Sequence, residues 1–199
     1  MIIQHFEPSF KSGAVFLAYF YFDFKDEGKK DSRALLSSLL NQLSNQSDQF
    51  RDVLRRSYSE HQDGSTQPHT DALLRCLKDM LTMARSVPVY LILDALDECP
   101  NDSGDLPSRS PRGKVLSVVE EIVNLRLPNL QLCITSRPEL DIRTILKPLA
   151  NQEISLPDEG GQNRDINAYV TSVVHLVRNW RDDDKRMVIY KLTENADGM

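Results

Sequence analysis

Short apolar runs alternate along this chain with longer segments in which apolar residues recur every three or four positions. Runs at residues 14–24, 88–93 and 130–134 are rich in branched and aromatic side chains, which is typical of strands buried on both faces. A weaker run at residues 152–156 predicts a fourth strand. Because strands alternate with helical segments, the pattern predicts an α/β fold with a parallel sheet and helices on both faces.

The helical segments carry recognisable start signals. Asp31 or Ser32 is expected to cap the first helix, Ser47 the second and Thr70 the third, because short polar side chains accept hydrogen bonds from free amides at helix starts. Apolar residues at helical spacing then mark how far each helix extends. Helices are predicted near residues 32–46, 47–58, 70–84, 114–125, 138–146, 166–177 and 187–192.

Two proline-containing segments adjoin these elements. Residues 101–113 are rich in Ser, Pro and Gly and predict a surface loop, so no binding role is assigned to Arg109 or Arg112. Pro138 follows the third strand closely and is expected to open a helix, since proline at an early helical position forfeits no hydrogen bond.

Composition narrows the class of protein. Of 199 residues, 40% are hydrophobic, so a packed core is expected, and the net charge of −5 argues against a generally basic nucleic-acid-binding surface. The three cysteines are widely spaced and form no CxxC pair, so neither a disulfide framework nor a zinc site is predicted. With no membrane-length apolar run and no signal-peptide pattern, we expect a cytoplasmic protein without membrane partners.

Polar residues follow the strands where a parallel sheet would bring them together. Asp94, Asp97 and Glu98 follow the second strand and Thr135–Arg137 follow the third, while Asp23 ends the first. The carboxyl ends of parallel strands share one edge, where open α/β sheets bind ligands. A structural acidic turn would explain Asp94 or Glu98 alone, but it explains the complete set less well.

These residue types suit an anionic ligand held with a divalent metal. Asp94 offers the hard oxygen that Mg²⁺ prefers, and Glu98 could orient or deprotonate an attacking water. Arg137 could neutralise a terminal phosphate, with Thr135 and Ser136 as hydrogen-bonding neighbours.

The same stretches resemble a known family. LILDALDEC at residues 91–99 resembles the Walker B segment of the NACHT class of signal-transducing P-loop ATPases, and CITSRPE at residues 133–139 resembles its sensor strand. AYFYFDF at residues 18–24 and ENADGM at residues 194–199 resemble NACHT proteins of filamentous fungi, including those related to the nephrocystin-like N-terminal module. The resemblance extends from about Ala14 to Met199.

The resemblance implies specific roles and domains. Asp94 would hold Mg²⁺ through water, Glu98 or Asp97 would polarise the hydrolytic water, and Arg137 would sense the γ-phosphate of ATP. Residues 1–157 would form a partial NTPase core, and residues 158–199 the start of the helical region that follows it. Mg²⁺ and ATP are the cofactors expected for an intact domain of this class.

One family motif is missing from the chain. A P-loop ATPase needs GxxxxGK[ST] to cradle phosphates, and no such sequence occurs; Lys11–Gly13 and Gly113–Val115 are rejected as substitutes. We therefore expect a chain truncated just after its phosphate loop, lacking the P-loop strand and binding little or no ATP alone. The strand at Leu130–Ile134 would then present an unpaired edge.

Three functions remain open from the sequence, and with them whether the chain is an enzyme. The first is the core of an ATP-driven signalling switch. The second is a non-catalytic scaffold derived from such an ATPase, which would associate with itself or with full-length relatives. The third is a metal-dependent hydrolase using Asp94, Asp97 and Glu98, which ranks lower because the sequence supplies none of the further carboxylate or histidine ligands such sites need.

Overall fold

The structure is a computed structural model that describes residues 14–60, 68–84, 87–101, 110–154, 162–177 and 179–194. The chain divides into two compact units, Met1–Leu149 and Ala150–Met199. The first unit contains the sheet and the candidate site, and the second contains a pair of helices. Among the described helices, none has the length and apolar character required to cross a bilayer.

A parallel sheet lies at the centre of the first unit. In the described part of the chain its strand order is β1-β2-β3, and Tyr21 pairs with Asp94 while Leu93 pairs with Ile134. The three carboxyl ends therefore meet at one edge, which confirms the predicted α/β class. The strands are β1 (Phe16–Tyr21), β2 (Val89–Asp94) and β3 (Leu130–Ile134).

Helices flank this sheet, and α1 is the central one. It packs against β1 and against α2, α3 and α4, while α4 also contacts α5. In the second unit α6 packs against α7. The helices are α1 (Ser32–Ser44), α2 (Asp48–Glu60), α3 (Thr70–Met83), α4 (Pro111–Val123), α5 (Leu140–Leu146), α6 (Gln162–His175) and α7 (Asp182–Glu194).

The core explains why these segments fold as they do. Leucines at helical spacing in α1 and alternate residues of the strands meet in one buried cluster, where apolar surface removed from water stabilises the fold by about 25 cal/mol per Å². The largest fully buried side chains are Phe50, Leu35, Leu36, Leu39, Leu40, Leu43, Leu77, Met80, Leu81, Leu91, Leu93 and Leu96.

The outer edge of β1 is paired by the side chains of two glutamines, Gln42 in α1 and Gln46 just after its end. Gln46 accepts from the amide of Leu17 at 2.9 Å and donates to its carbonyl at 2.6 Å. Gln42 does the same for Tyr19, at 3.1 and 2.7 Å. The two amides thus supply the hydrogen bonds that a neighbouring strand would otherwise provide, and they close this edge to further pairing.

Helix starts confirm one predicted cap and correct another. The Asp31 carboxylate accepts from the amide of Ala34 at 2.8 Å, as an N-cap does. The prediction that Thr70 caps the third helix is wrong, because Thr70 is already helical. His69 occupies the cap position with extended backbone and no side-chain hydrogen bond.

Two further boundaries differ from prediction. The helix predicted from residue 114 begins at Pro111, because the Ser110 hydroxyl accepts from the amide of Gly113 at 2.9 Å and caps it. The loop prediction is therefore wrong for residues 111–113, whereas residues 101 and 110 lie outside any helix or strand, as predicted. Residues 102–109 lie outside the described residues. Pro138 does not open α5, which begins at Leu140 because Glu139 retains extended backbone.

The fourth predicted strand is not observed over its described part. Residues 152–154 have no strand conformation, and residues 155–156 lie outside the described residues. Ile154, the apolar residue on which the strand prediction depended, is 63% exposed and is therefore not part of the core. Residues 152–154 lie beyond the first unit, which contains the sheet and ends at Leu149.

Candidate functional site

An unusual backbone conformation shapes the segment that follows β2. Ala95 has φ 56° and ψ 47°, in the left-handed region that costs a non-glycine residue about 1 kcal/mol. It is followed by a 3-10 turn at Leu96–Glu98, whose first side chain is fully buried. Residues 94–99 are called the acidic turn below. The left-handed residue returns the chain to the core directly after Asp94.

Thr135 joins the acidic turn to the end of β3. Its hydroxyl donates to the Asp94 carboxylate and accepts from the amide of Ala95 at 3.0 Å. The carbonyl of Thr135 accepts from the amide of Leu96 at 3.0 Å, and the amide of Thr135 donates to the carbonyl of Leu93 at 2.9 Å. One residue after β3 therefore fixes both the first acid and the turn behind it.

Asp97 and Arg137 form a second link between the same segments. The amide of Arg137 donates to one Asp97 carboxylate oxygen at 3.0 Å, and its Nε lies 3.5 Å from the other. The Asp97 side chain is 12% exposed and that of Arg137 is 73% exposed. Because the guanidinium is largely in water, this ion pair contributes little stability, but the backbone bond fixes the position of Asp97.

A cleft of about 400 Å³ opens beside Asp94. Three carboxylic acids predicted to lie at this edge, Asp23, Asp94 and Glu98, line it together with Lys25 and Lys29. Its other lining residues are Tyr21, Phe22, Phe24 and Ala95.

The remaining predicted site residues lie outside the lining of this cleft. The carboxylate of Asp97 is engaged by Arg137, and the exposed hydroxyl of Ser136 donates to the carbonyl of Arg137 at 2.9 Å. Thr135 reaches the cleft only through Asp94. The structure therefore brings all the predicted residues to one edge, but it divides them between the cleft and the segment behind it.

Arg112 is the residue that sequence reasoning missed. It is buried, and its guanidinium donates to the carbonyls of Asp97 and Cys99 at 2.6 and 2.9 Å and to the Asp141 carboxylate at 3.3 Å. The sequence did contain a signal for it. Ser-Pro followed by apolar residues at helical spacing marks a helix start. Arg112 precedes the apolar residues Val115 and Leu116 by three and four positions, which is the spacing of one helix face. It therefore lies on the apolar face of α4.

The donor set at the cleft fits a hydrated magnesium ion. Mg²⁺ binds through one or two carboxylates and keeps several waters, and half-buried Asp94 offers such a carboxylate, with Glu98 lining the same cleft. Across the described residues, no group of three or more His, Cys, Asp or Glu side chains is arranged to enclose a metal. Lys29, which also lines the cleft, forms an ion pair with Asp26 at 3.3 Å.

Tyr21 should report on the charge of Asp94. Burial, followed by the Asp94 charge, raises the pKa of the Tyr21 phenol. A raised pKa favours the protonated native state, so this contribution to stability is present below the ordinary value, about 10, and is lost as the pH rises through the raised one. We expect Asp94→Asn to move the pKa of Tyr21 part of the way back, since burial persists.

A residue-specific NMR titration of the tyrosine rings measures this shift. The matched control is Asp79→Asn, which removes an exposed charge on α3 and should leave the pKa of Tyr21 unchanged. A Tyr21 pKa that is the same in Asp94→Asn and in the unmodified chain would contradict the arrangement described.

Comparison with known proteins identifies the family. The model of the family described as nephrocystin 3, N-terminal, matches residues 1–137, which include β1, β2, β3 and the acidic turn. No curated protein and no solved structure matches the chain. Because the match covers more than half of the sequence, the chain belongs to the nephrocystin 3 N-terminal family.

Proposed function

We propose that this chain supplies the metal-side and sensor-side residues of a nucleotide-dependent signalling switch of the NACHT type. The observation that carries the proposal is the junction of two strand ends: the Thr135 hydroxyl donates to the Asp94 carboxylate, and Asp97 binds the amide of Arg137. An acid suited to Mg²⁺ and an arginine suited to phosphate thus belong to one hydrogen-bonded unit. A change sensed at either strand end would reach the other directly.

The proposed roles follow from where each side chain lies. Asp94 holds Mg²⁺ through water, and Thr135 orients its carboxylate. Glu98 orients the attacking water, because it lines the cleft whereas the carboxylate of Asp97 is engaged by Arg137. Arg137, whose side chain is 73% exposed, is available to a terminal phosphate once its weak ion pair with Asp97 opens. Bound Mg²⁺ would neutralise phosphate charge.

The phosphate-binding motif limits what this chain does alone. The 199 residues contain no GxxxxGK[ST], so the backbone amides and lysine that cradle phosphates in P-loop proteins are not encoded in this sequence. Without them the cleft offers a phosphate only Lys25 and Lys29, and Asp23, Asp94 and Glu98 in the same lining oppose a negatively charged ligand. We therefore propose that the chain, acting in the cytoplasm, binds and hydrolyses little or no ATP by itself.

Isothermal titration calorimetry with Mg²⁺ and ATP tests this proposal. We expect a Kd weaker than about 1 mM, which corresponds to a binding free energy weaker than about −4 kcal/mol. Asp94→Asn and the control Asp79→Asn should behave alike, since there is little affinity to lose. A low-micromolar Kd that Asp94→Asn abolishes and Asp79→Asn preserves would contradict weak binding while supporting the role of Asp94.

A second candidate function is a non-catalytic scaffold derived from such an ATPase. The observation that favours it is that Asp94, Asp97 and Arg137 all have partners within the chain, so the hydrogen bonds of the chain itself hold this edge together. Such a scaffold would associate with itself or with full-length relatives. Sedimentation of the chain without nucleotide separates the two functions: a scaffold would associate with itself or with an added full-length relative, whereas the core of a nucleotide-driven switch would remain monomeric.

A further inference from the structure

A buried arginine connects the acidic turn to α5. The Nε of Arg112 donates to the carbonyl of Cys99 at 2.9 Å, and one terminal nitrogen donates to the carbonyl of Asp97 at 2.6 Å. The other terminal nitrogen lies 3.3 Å from both carboxylate oxygens of Asp141, near the start of α5. With a side chain only 10% exposed, the guanidinium interacts with these groups rather than with water.

Neighbouring bonds extend the same connection along the chain. The backbone amide of Arg112 donates to the carbonyl of Pro100 at 3.0 Å, and the side-chain amide of Asn101 donates to Asp141 at 3.1 Å. Three carbonyls from a stretch of four residues are therefore oriented by one arginine. Asp141 is bound both by that arginine and by the residue that follows the stretch.

Asp97 is consequently held on two sides. Its carbonyl accepts from Arg112, while its carboxylate accepts from the amide of Arg137, which precedes α5 by three residues. The orientation of this one residue depends on α4 through one arginine and on the segment before α5 through the other. A displacement of α5 would strain both sides of Asp97 at once.

We propose that Arg112 is the positioning residue of the acidic turn, and that its ion pair with Asp141 makes the conformation of the turn depend on the position of α5. If α5 moves away, a buried guanidinium loses its carboxylate, which is costly, so release of the turn and movement of α5 are cooperative. The relevance of this coupling to nucleotide rests on the proposed function, whereas the coupling itself is testable without nucleotide.

Cys99 provides a reporter within the turn. Its side chain is fully buried, its Sγ donates to the carbonyl of Lys30 at 3.0 Å, and burial raises the pKa of its thiol to about 12, so it should react slowly while the turn is closed. The other cysteines are internal standards. Cys133 is exposed and reports reagent access, and Cys76 is buried in α3 and reports global unfolding.

The experiment measures alkylation of each cysteine by mass spectrometry under native conditions. Arg112→Lys keeps the charge but cannot span both carbonyls and the carboxylate, and Asp141→Asn removes the charge from α5. In both variants we expect Cys99 to react at least about tenfold faster relative to Cys76, because the turn opens locally. Arg51→Lys, in an exposed ion pair on α2, is the matched control and should change neither rate.

A second readout separates positioning from simple loss of stability. The Nε–H resonance of Arg137 should shift in Arg112→Lys and Asp141→Asn but not in Arg51→Lys, because only the first two reorient Asp97. Equal acceleration of Cys76 and Cys99 would overturn the proposal, as would unchanged rates for both. Acceleration of Cys99 in Arg112→Lys but not in Asp141→Asn would overturn the coupling to α5. If Arg112→Lys does not fold, Asp141→Asn alone provides the comparison with the unmodified chain.

Discussion

Replacing Arg112 with methionine is expected to lower the free energy of unfolding by about 3–5 kcal/mol, the range seen when one partner of a buried ion pair is removed. The methionine would occupy much of the same volume, so the loss arises mainly from groups left without a partner. These are the carbonyls of Asp97 and Cys99, together with the Asp141 carboxylate, which would lose its counter-charge and keep only the hydrogen bond from Asn101. Urea unfolding followed by circular dichroism measures the change.

Arg51→Met is the control for this substitution. Arg51 pairs with Asp48 at 2.7 Å, but its side chain is 45% exposed and the pair lies on the surface of α2, so the expected cost is within about 0.5 kcal/mol. If Arg112→Met changed the stability no more than Arg51→Met does, the buried network would not hold the acidic turn.

Leu96→Ala is expected to be the other large loss, about 2–5 kcal/mol, because Leu96 is fully buried and its truncation leaves a cavity. Leu96 is the first residue of the 3-10 turn, and its amide donates to the carbonyl of Thr135 at 3.0 Å. The turn that presents Asp94 and Glu98 is thus anchored by the same side chain that completes the core. Thermal unfolding compared with the unmodified chain provides the measurement.

Two matched variants define what this result means. Leu96→Met keeps the volume and should cost less than about 1.5 kcal/mol. Leu140→Ala removes the same atoms from a side chain that is 82% exposed, so it should change the stability by no more than about 0.5 kcal/mol. Similar losses for Leu96→Ala and Leu140→Ala would show that Leu96 does not anchor the turn.

The strands could be predicted closely because a strand buried on both faces requires a continuous run of apolar residues, which the sequence shows directly. The run at residues 130–134 matches β3 at both ends, and the run at residues 88–93 differs from β2 by one residue at each end. The first run, at residues 14–24, is longer than β1 because aromatic residues continue past the strand. Phe22 is buried without being part of the strand, and Phe24 is 57% exposed.

Parts of the candidate site could be predicted for a topological reason. Parallel pairing brings the ends of β2 and β3 side by side, so the proximity of Asp94 and Thr135 follows from the strand order alone. The positions of Asp97 and Glu98 do not follow from the strand order, because they depend on the left-handed conformation of Ala95, which the sequence does not signal. The engagement of Asp97 by Arg137 and of its carbonyl by Arg112 is therefore visible only in the structure.

Paramagnetic NMR with Mn²⁺ can show whether Asp94 and the Thr135–Arg137 segment form one metal-binding edge. Mn²⁺ accepts the same oxygen ligands as Mg²⁺ and broadens nearby amide signals. We predict that low Mn²⁺ concentrations broaden residues 94–98 and 135–137 together, and that Asp94→Asn removes both effects. Broadening confined to the acidic start of α7, Asp182–Asp184, or broadening that persists in Asp94→Asn, would contradict the account.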